Sequence, residues 1–380
     1  MRIAYICADA GIPVFGEKGC SIHVQEIIRC FIKKGAKISL FTPRLGGEIP
    51  QEFKDNIDIY LLPPIPKGEL ELREKKAISI NHTLYQLLEQ NHPFDLIYER
   101  YSLWSYQGIE YGYKHNIPTI LEVNSPLIDE QEKHRGLFHK IEAENIAHKV
   151  FNLTNHIVAV SEEIKSYLKS YLANTEKIKV ISNGVNPERF SDVSRNLKKD
   201  IFTIGFVGTL KPWHGLNILL DAFNNFYKKY PQGRLLIVGD GTQKEKLIQD
   251  ISNKKLEAVV TLTGKVSPNK IPLLLSQMDV GVAPYPALKN FYFSPLKVYE
   301  YMAASLPVIA SDIGQLKTII SHDKNGFLVP AGDINALIYY LEQLFNNPLL
   351  AQKMGQNGHS YVINNHTWIQ VTDSILNLIK

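Results

Sequence analysis

The feature that most constrains this chain is an alternation. Short apolar runs of strand type, Arg2–Cys7, Lys37–Thr42, Ile57–Leu62, Phe94–Tyr98, Thr119–Asn124, His156–Val160 and Ile178–Ser182, are separated by segments of helical spacing. The pattern returns in Phe202–Val207, Arg234–Val238, Val259–Thr263, Val280–Pro284, Leu306–Ala310 and Phe327–Val329. Strands and helices in this rhythm predict parallel sheets covered by helices on both faces. A chain of 380 residues exceeds one ordinary core. The expectation is therefore two doubly wound α/β domains in succession, with their shared cleft as the binding site. The polar stretch Ser191–Asp200 reads as a linker. The domains are then 1–190 and 191–365, and the final segment 366–380, with Trp368, is expected to pack back on the first.

Composition narrows the class. Hydrophobic residues make up 44% and charged residues 21%, the values of a globular chain. A net charge of +4 favours an anionic ligand or an anionic membrane face but is too small to argue nucleic acid. Cys7, Cys20 and Cys30 form no CxxC pair, and Met1–Ala8 is too short for a secretory leader, so reduced thiols and a cytoplasmic location are expected. No window reaches the ~18 apolar residues of a membrane span, although a peripheral place at the inner membrane face fits the charge.

Polar residues at the carboxyl end of a parallel strand face the ligand crevice of such sheets. In the first half these are Arg100, Glu122 and Asn124. The first strand runs into a loop with Gly11, Gly16 and Gly19, and a helix is predicted over Ile22–Lys34. This is the opening of a Rossmann-like unit, but the spacing is not GxGxxG and implies no dinucleotide. Gly19, at the helix mouth, lets a substrate approach the backbone.

In the second half four loops share one sheet edge. Gly208-Thr209-Leu210-Lys211-Pro212-Trp213-His214-Gly215 joins close backbone approach to a cation and a titratable ring, which fits a diphosphate. Gly239-Asp240-Gly241 lets backbone pass close to a ligand, and Gly264-Lys265-Val266 presents main-chain groups to a base edge. The fourth is a helix start, with Ser294 as the expected cap and Pro295 at the first helical position. Its free N–H groups suit a phosphate. Glu300, two turns in, could accept from both hydroxyls of a ribose; Lys297 and Glu300, three apart, could equally form a surface ion pair.

Together these motifs resemble the retaining family 4 glycosyltransferases of the two-Rossmann (GT-B) fold, over nearly the whole chain. The matching stretches are Val180–Phe190, Gly208–Gly215, Leu236–Gly241 and Glu300–Ser311. The resemblance implies a nucleoside diphosphate sugar, UDP favoured, held by the second domain through Gly208, Thr209, Gly239, Gly264, Val266, Ser294, Leu296, Lys297 and the ribose carboxylate Glu300. It implies an acceptor hydroxyl in the first domain, at Gly19, Arg100 and Glu122, and transfer with retention. Lys211 and His214 are expected to face the leaving diphosphate, with Asn124 beside the anomeric carbon. No DxD-type motif stands at a suitable strand end, so neither metal nor cofactor is expected. The sequence departs from the family at Tyr292, where the first acid of E-x7-E would stand. It departs again at Thr209 and His214, the places of an Arg and a Lys, at Pro295 in place of Gly, and at Asn124-Ser125 in place of His-Asp. A nucleotide-sugar 2-epimerase and a non-catalytic nucleotide-sugar-binding protein are the alternatives on the same fold.

Overall fold

In a computed structural model, residues 1–191 and 200–380 are described, so residues 192–199 of the expected linker lie outside them. The first sheet holds β1 (Arg2–Ile6), β2 (Lys37–Thr42), β3 (Ile57–Leu61), β4 (Leu96–Arg100), β5 (Thr119–Val123), β6 (His156–Ala159) and β7 (Ile178–Val180). The second holds β8 (Phe202–Val207), β9 (Gly233–Val238), β10 (Val260–Leu262), β11 (Val280–Ala283), β12 (Val308–Ser311) and β13 (Phe327–Val329). The strand orders are β3-β2-β1-β4-β5-β6-β7 and β10-β9-β8-β11-β12-β13. The strand pairs are parallel, which is why β4 and β5 are buried along their whole length. The expected fold class, two Rossmann-like parallel-sheet domains, is what the chain adopts.

Each sheet changes winding direction once, between β1 and β4 and between β8 and β11. At such a point the connections leave to opposite sides and open a crevice at the strands' carboxyl ends. Two chemical addresses are thereby fixed by topology alone.

By packing, the chain forms two units. One is Met1–Asn183 with Tyr292–Ser294 and Trp368–Lys380; the other is Gly184–Phe291 with Pro295–Thr367. The chain thus passes between units at Asn183–Gly184, ahead of the 190/191 change expected from the linker. The reason for the tail's membership is local. Trp368 stacks edge-on to His23 with ring centres 4.9 Å apart, and Lys34 pairs with Asp373. Tyr292–Ser294 is held in the first unit by hydrogen bonds. Ser161 Oγ donates to Tyr292 O at 3.0 Å, and Asn183 donates from N to Ser294 Oγ (3.1 Å) and from Nδ2 to Ser294 O (3.0 Å).

Two local expectations are corrected. The first helix spans Gly19–Lys33, because the amides of Ser21 and Ile22 already turn back onto Lys18 O at 2.9 Å. The helix expected to start at Ser294-Pro295 spans Leu296–Ala303, with Pro295 as its N-cap. Ser294 stands one residue before that cap, its hydroxyl accepts from Asn183 N, and no side chain caps the helix. Among the described residues no helix is long and apolar enough to cross a membrane.

Candidate functional site

The crevice of the second sheet is built from the end of β8 and the helix after β11. Gly208 (φ 150°) and Gly239 (φ 141°) carry backbones that side chains rarely adopt. A Cβ on Gly239 would lie 2.0 Å from Gly208 O, so the two loops close on each other only as glycines. Gly264 forms an antiparallel bridge with Gly239 and extends this platform. Thr209 stands exposed at its tip.

Lys297 projects under the platform. Its Nζ lies 4.2 Å from the centre of the Phe206 ring and 5.3 Å from that of Tyr285. A Cβ on Gly208 would be 2.9 Å from this Nζ. The residue is 8% exposed, and its Nζ has no hydrogen-bond partner. Burial pulls its pKa down to about 7 against a smaller opposing pull from Glu300. A buried amine with no acceptor is costly unless something else supplies one. Beside it the helix opens at Leu296 with no side-chain cap and no acidic residue in its first turn. The uncapped helix opening and the buried Lys297 amine thus both belong to the elements beside the glycine platform, and a helix opening of this kind favours an anion.

His214 is tied to the loop it stands on. Its Nδ1 meets Thr209 O, and because a carbonyl only accepts, Nδ1 carries the proton. Burial, and then the Lys297 charge, push its pKa down to about 3. Without a ligand the ring is thus neutral, with its Nδ1–H spent on the loop. It braces the loop between Phe206 and Tyr285, with ring centres at 5.8 and 5.7 Å. Lys211 has its Nζ 5.7 Å from the Trp213 ring at the surface of the same loop.

Glu300 is one-fifth exposed and paired with Arg189, whose Nη1 donates to Oε1 at 3.1 Å. Arg189 also donates from Nη2 to Pro268 O at 2.7 Å. One guanidinium thus ties the expected ribose carboxylate to the loop after half-buried Val266. Sequence reasoning did not single out Arg189, although it lies in the Val180–Phe190 motif.

In the first unit Arg100, Glu122 and Asn124 come together at the ends of β4 and β5. Glu122 is 1% exposed. His23 Nε2 contacts Oε1, Asn124 Nδ2 donates to Oε1 at 2.9 Å and Tyr98 Oη donates to Oε2 at 2.7 Å. Arg100 Nη1 reaches Oε1 only at 3.4 Å. Burial alone would raise the Glu122 pKa; the His23, Arg100 and Tyr98 contacts outweigh it and hold it at about 2. Gly19, the first residue of its helix, is exposed. Tyr292, where a carboxylate was missing, donates its hydroxyl to Glu130. Glu130 carried no signal beyond a place on a helix, here Leu127–His134. Among the described residues no group of three or more His, Cys, Asp or Glu is placed to hold a metal ion.

Two family models match successive parts of the chain: Glycosyltransferase Family 4 over residues 18–189 and Glycosyl transferases group 1 over 188–361. An uncharacterized glycosyltransferase of Methanocaldococcus jannaschii is 22% identical across 100% of this chain and 98% of its own. The Escherichia coli UDP-Gal:alpha-D-GlcNAc-diphosphoundecaprenol alpha-1,3-galactosyltransferase is also 22% identical, over 88% of this chain and 86% of that one. Among solved structures, the sucrose-phosphate synthase of Thermosynechococcus elongatus superposes with a TM-score of 0.78 at 20% identity, covering 100% and 98% of the two chains. Anabaena HepE in complex with UDP-glucose does so at 0.71 and 18% identity, covering 100% and 99%.

Proposed function

This chain belongs to the glycosyltransferases of the GT-B fold that act on nucleotide sugars, and from that premise we propose that it moves a sugar from a UDP-sugar to an acceptor hydroxyl with retention of configuration. The observation that carries the donor site is the Lys297 ammonium, buried without an acceptor beside the opening of the helix Leu296–Ala303. A diphosphate supplies the missing acceptors and the missing charge. UDP is favoured because HepE binds UDP-glucose and the E. coli relative uses UDP-Gal.

In this reading the diphosphate lies on Gly208, Thr209 and Gly239, against Lys297 and the amides of Leu296 and Lys297, with Lys211 at the outer edge. Gly264 and Val266 border the base, and Glu300, steered by Arg189, holds the ribose. The bond from the anomeric carbon to the diphosphate oxygen breaks, and the acceptor oxygen bonds to that carbon from the same face. The acceptor's proton passes to the departing diphosphate oxygen. Fixed positive groups aimed at the charge that builds there are the main catalytic contribution, and losing one costs ~100–1000-fold in rate. The first unit takes the acceptor, a glycan, glycolipid or small glycoside, near Gly19 and Asn124. Glu122, saturated by its own neighbours, positions Arg100 and Asn124 and does not itself meet substrate. The step uses no metal, so activity should survive EDTA.

A thermal-shift series with UDP-, GDP-, ADP- and TDP-sugars tests the donor. A ligand bound only to the folded state raises Tm by mass action, and UDP-sugars should raise it most. If none of the four raises it, the nucleotide-sugar reading fails.

A further inference from the structure

The first unit has its own winding reversal, between β1 and β4, and a cation stands there too. Arg100 ends β4 and is 8% exposed. A guanidinium carries five N–H donors. Among the described residues Arg100 uses one of them, over 3.4 Å. The distance has a cause: His23 and Asn124 already occupy the same Glu122 oxygen, and Tyr98 occupies the other. Glu122 steadies the arginine electrostatically without satisfying its fork. Arg100 keeps a little exposure, 8%, through which a ligand could reach it.

The surroundings repeat the theme. The Tyr5 hydroxyl, within charge range of Arg100, is buried with no partner, and its pKa is raised well above the usual value by burial first, so it stays a donor. The helix Gly19–Lys33 begins with no side-chain cap and no acidic residue in its first turn. Donors gather at this second switch point, and Glu122 engages the arginine only through the one 3.4 Å contact.

We propose that Arg100 binds an anionic group, a phosphate or carboxylate, borne by the acceptor substrate. The inference rests on the donor reading, because Lys297 and the helix Leu296–Ala303 already answer the donor's diphosphate within the second unit. At Arg100 the charge is balanced by Glu122, and what is left over is the guanidinium's unused N–H donors. The acceptor class is thereby narrowed from any hydroxyl compound to one that is phosphorylated or acidic, such as a sugar phosphate, a uronate or a lipid-linked phosphate.

The test uses the full chain and calorimetry. UDP is titrated first; inorganic phosphate is then titrated into protein saturated with UDP. The wild type should bind phosphate without releasing UDP. Arg100→Gln should weaken phosphate about tenfold or more while leaving UDP affinity unchanged, since a charge-assisted fork is lost. Lys297→Met should do the reverse. Phosphate that fails to bind beside UDP, that displaces UDP, or that binds Arg100→Gln as well as wild type overturns the proposal. If Arg100→Gln does not fold, Arg100→Lys decides. It keeps the charge beside Glu122 but loses the planar fork, so phosphate should weaken about fivefold, and an unchanged affinity overturns the proposal. Failure of UDP itself to bind would strike the donor reading instead, and phosphate can still be titrated without it.

Discussion

The two switch points share a topology and solve the same electrostatic problem in opposite ways. In the second unit the cation is a lysine held against Phe206 and Tyr285 with no acceptor at its Nζ. In the first it is an arginine beside a carboxylate that His23, Asn124 and Tyr98 already surround. Lysine shifts its pKa readily when buried; arginine remains charged under any condition a protein survives. The second site can therefore gain charge when its ligand arrives, while the first carries a permanent charge that the fold itself must balance. In the proposed reading one is organised around a ligand, the other around a network that also stabilises the fold.

The largest expected effect breaks that network. Glu122→Ala would leave Arg100 buried without its counter-charge, which costs about 3–5 kcal/mol. Chemical unfolding should show that loss at neutral pH, and a change below about 1 kcal/mol would mean the carboxylate is not the balancing group. The pH sign follows from the pKa of about 2, below the ordinary 4.5. This stabilisation is complete above pH 4.5 and is lost as pH falls through 2. The variant should lack that portion of the acid-unfolding slope.

The corresponding change in the second unit should affect chemistry and spare the fold. Lys297→Met removes a buried amine that has no partner and keeps the stem's volume. Turnover should fall ~100–1000-fold, as for loss of one fixed donor to a leaving group. The thermal midpoint of the unliganded protein should hold or rise. A fall in midpoint with near-normal turnover would exchange the roles of the two sites.

How much of this contrast was legible in the sequence follows from what each kind of signal encodes. Strand–helix alternation fixed both sheets, and strand ends fixed Arg100, Glu122 and Asn124 as neighbours, because parallel topology places such residues at one edge. The glycine loops were legible because only glycine admits the backbone of Gly208 and Gly239. Side-chain direction was not. Nothing in the spacing of Lys297 and Glu300 shows that the lysine turns inward to Phe206 while the acid pairs with Arg189. Nor does it show that Ser294 is claimed by Asn183 or that His214 spends its proton on Thr209. The link between Tyr292 and Glu130 spans 162 residues and leaves no local trace.

A third prediction sharpens the difference through pH. Without ligand Lys297 has a pKa of about 7, and a diphosphate alongside it restores the proton's advantage. Binding therefore takes up a proton once pH exceeds 7. UDP-glucose, whose diphosphate does not titrate in this range, should lose affinity by up to about tenfold per pH unit above 7. Calorimetry in buffers of different ionisation heat should count the proton directly. The dependence should vanish in Lys297→Met. Phosphate bound at Arg100 should show no such uptake from the protein, since a guanidinium has no proton to gain.

The smallest expected effect concerns the ribose. Arg189 holds Glu300 at 3.1 Å and Pro268 O at 2.7 Å, so two readings of it compete. It either orients the carboxylate for the ribose or occupies it until the ribose arrives. Orientation predicts that Arg189→Ala weakens UDP about fivefold, since a positioned charge-assisted contact is loosened. Occupation predicts that the same change tightens UDP. Inorganic pyrophosphate, which has no ribose, should bind the variant as it binds wild type under either reading. Orientation is expected because Pro268 O shares the guanidinium. A group that must release Glu300 on binding would not also be pinned to the neighbouring loop, and the pin fixes Nη1 where it meets the acid. A variant that bound UDP more tightly, with pyrophosphate unchanged, would recast Arg189 as a placeholder and leave Arg100 as the one arginine that carries its charge to a substrate.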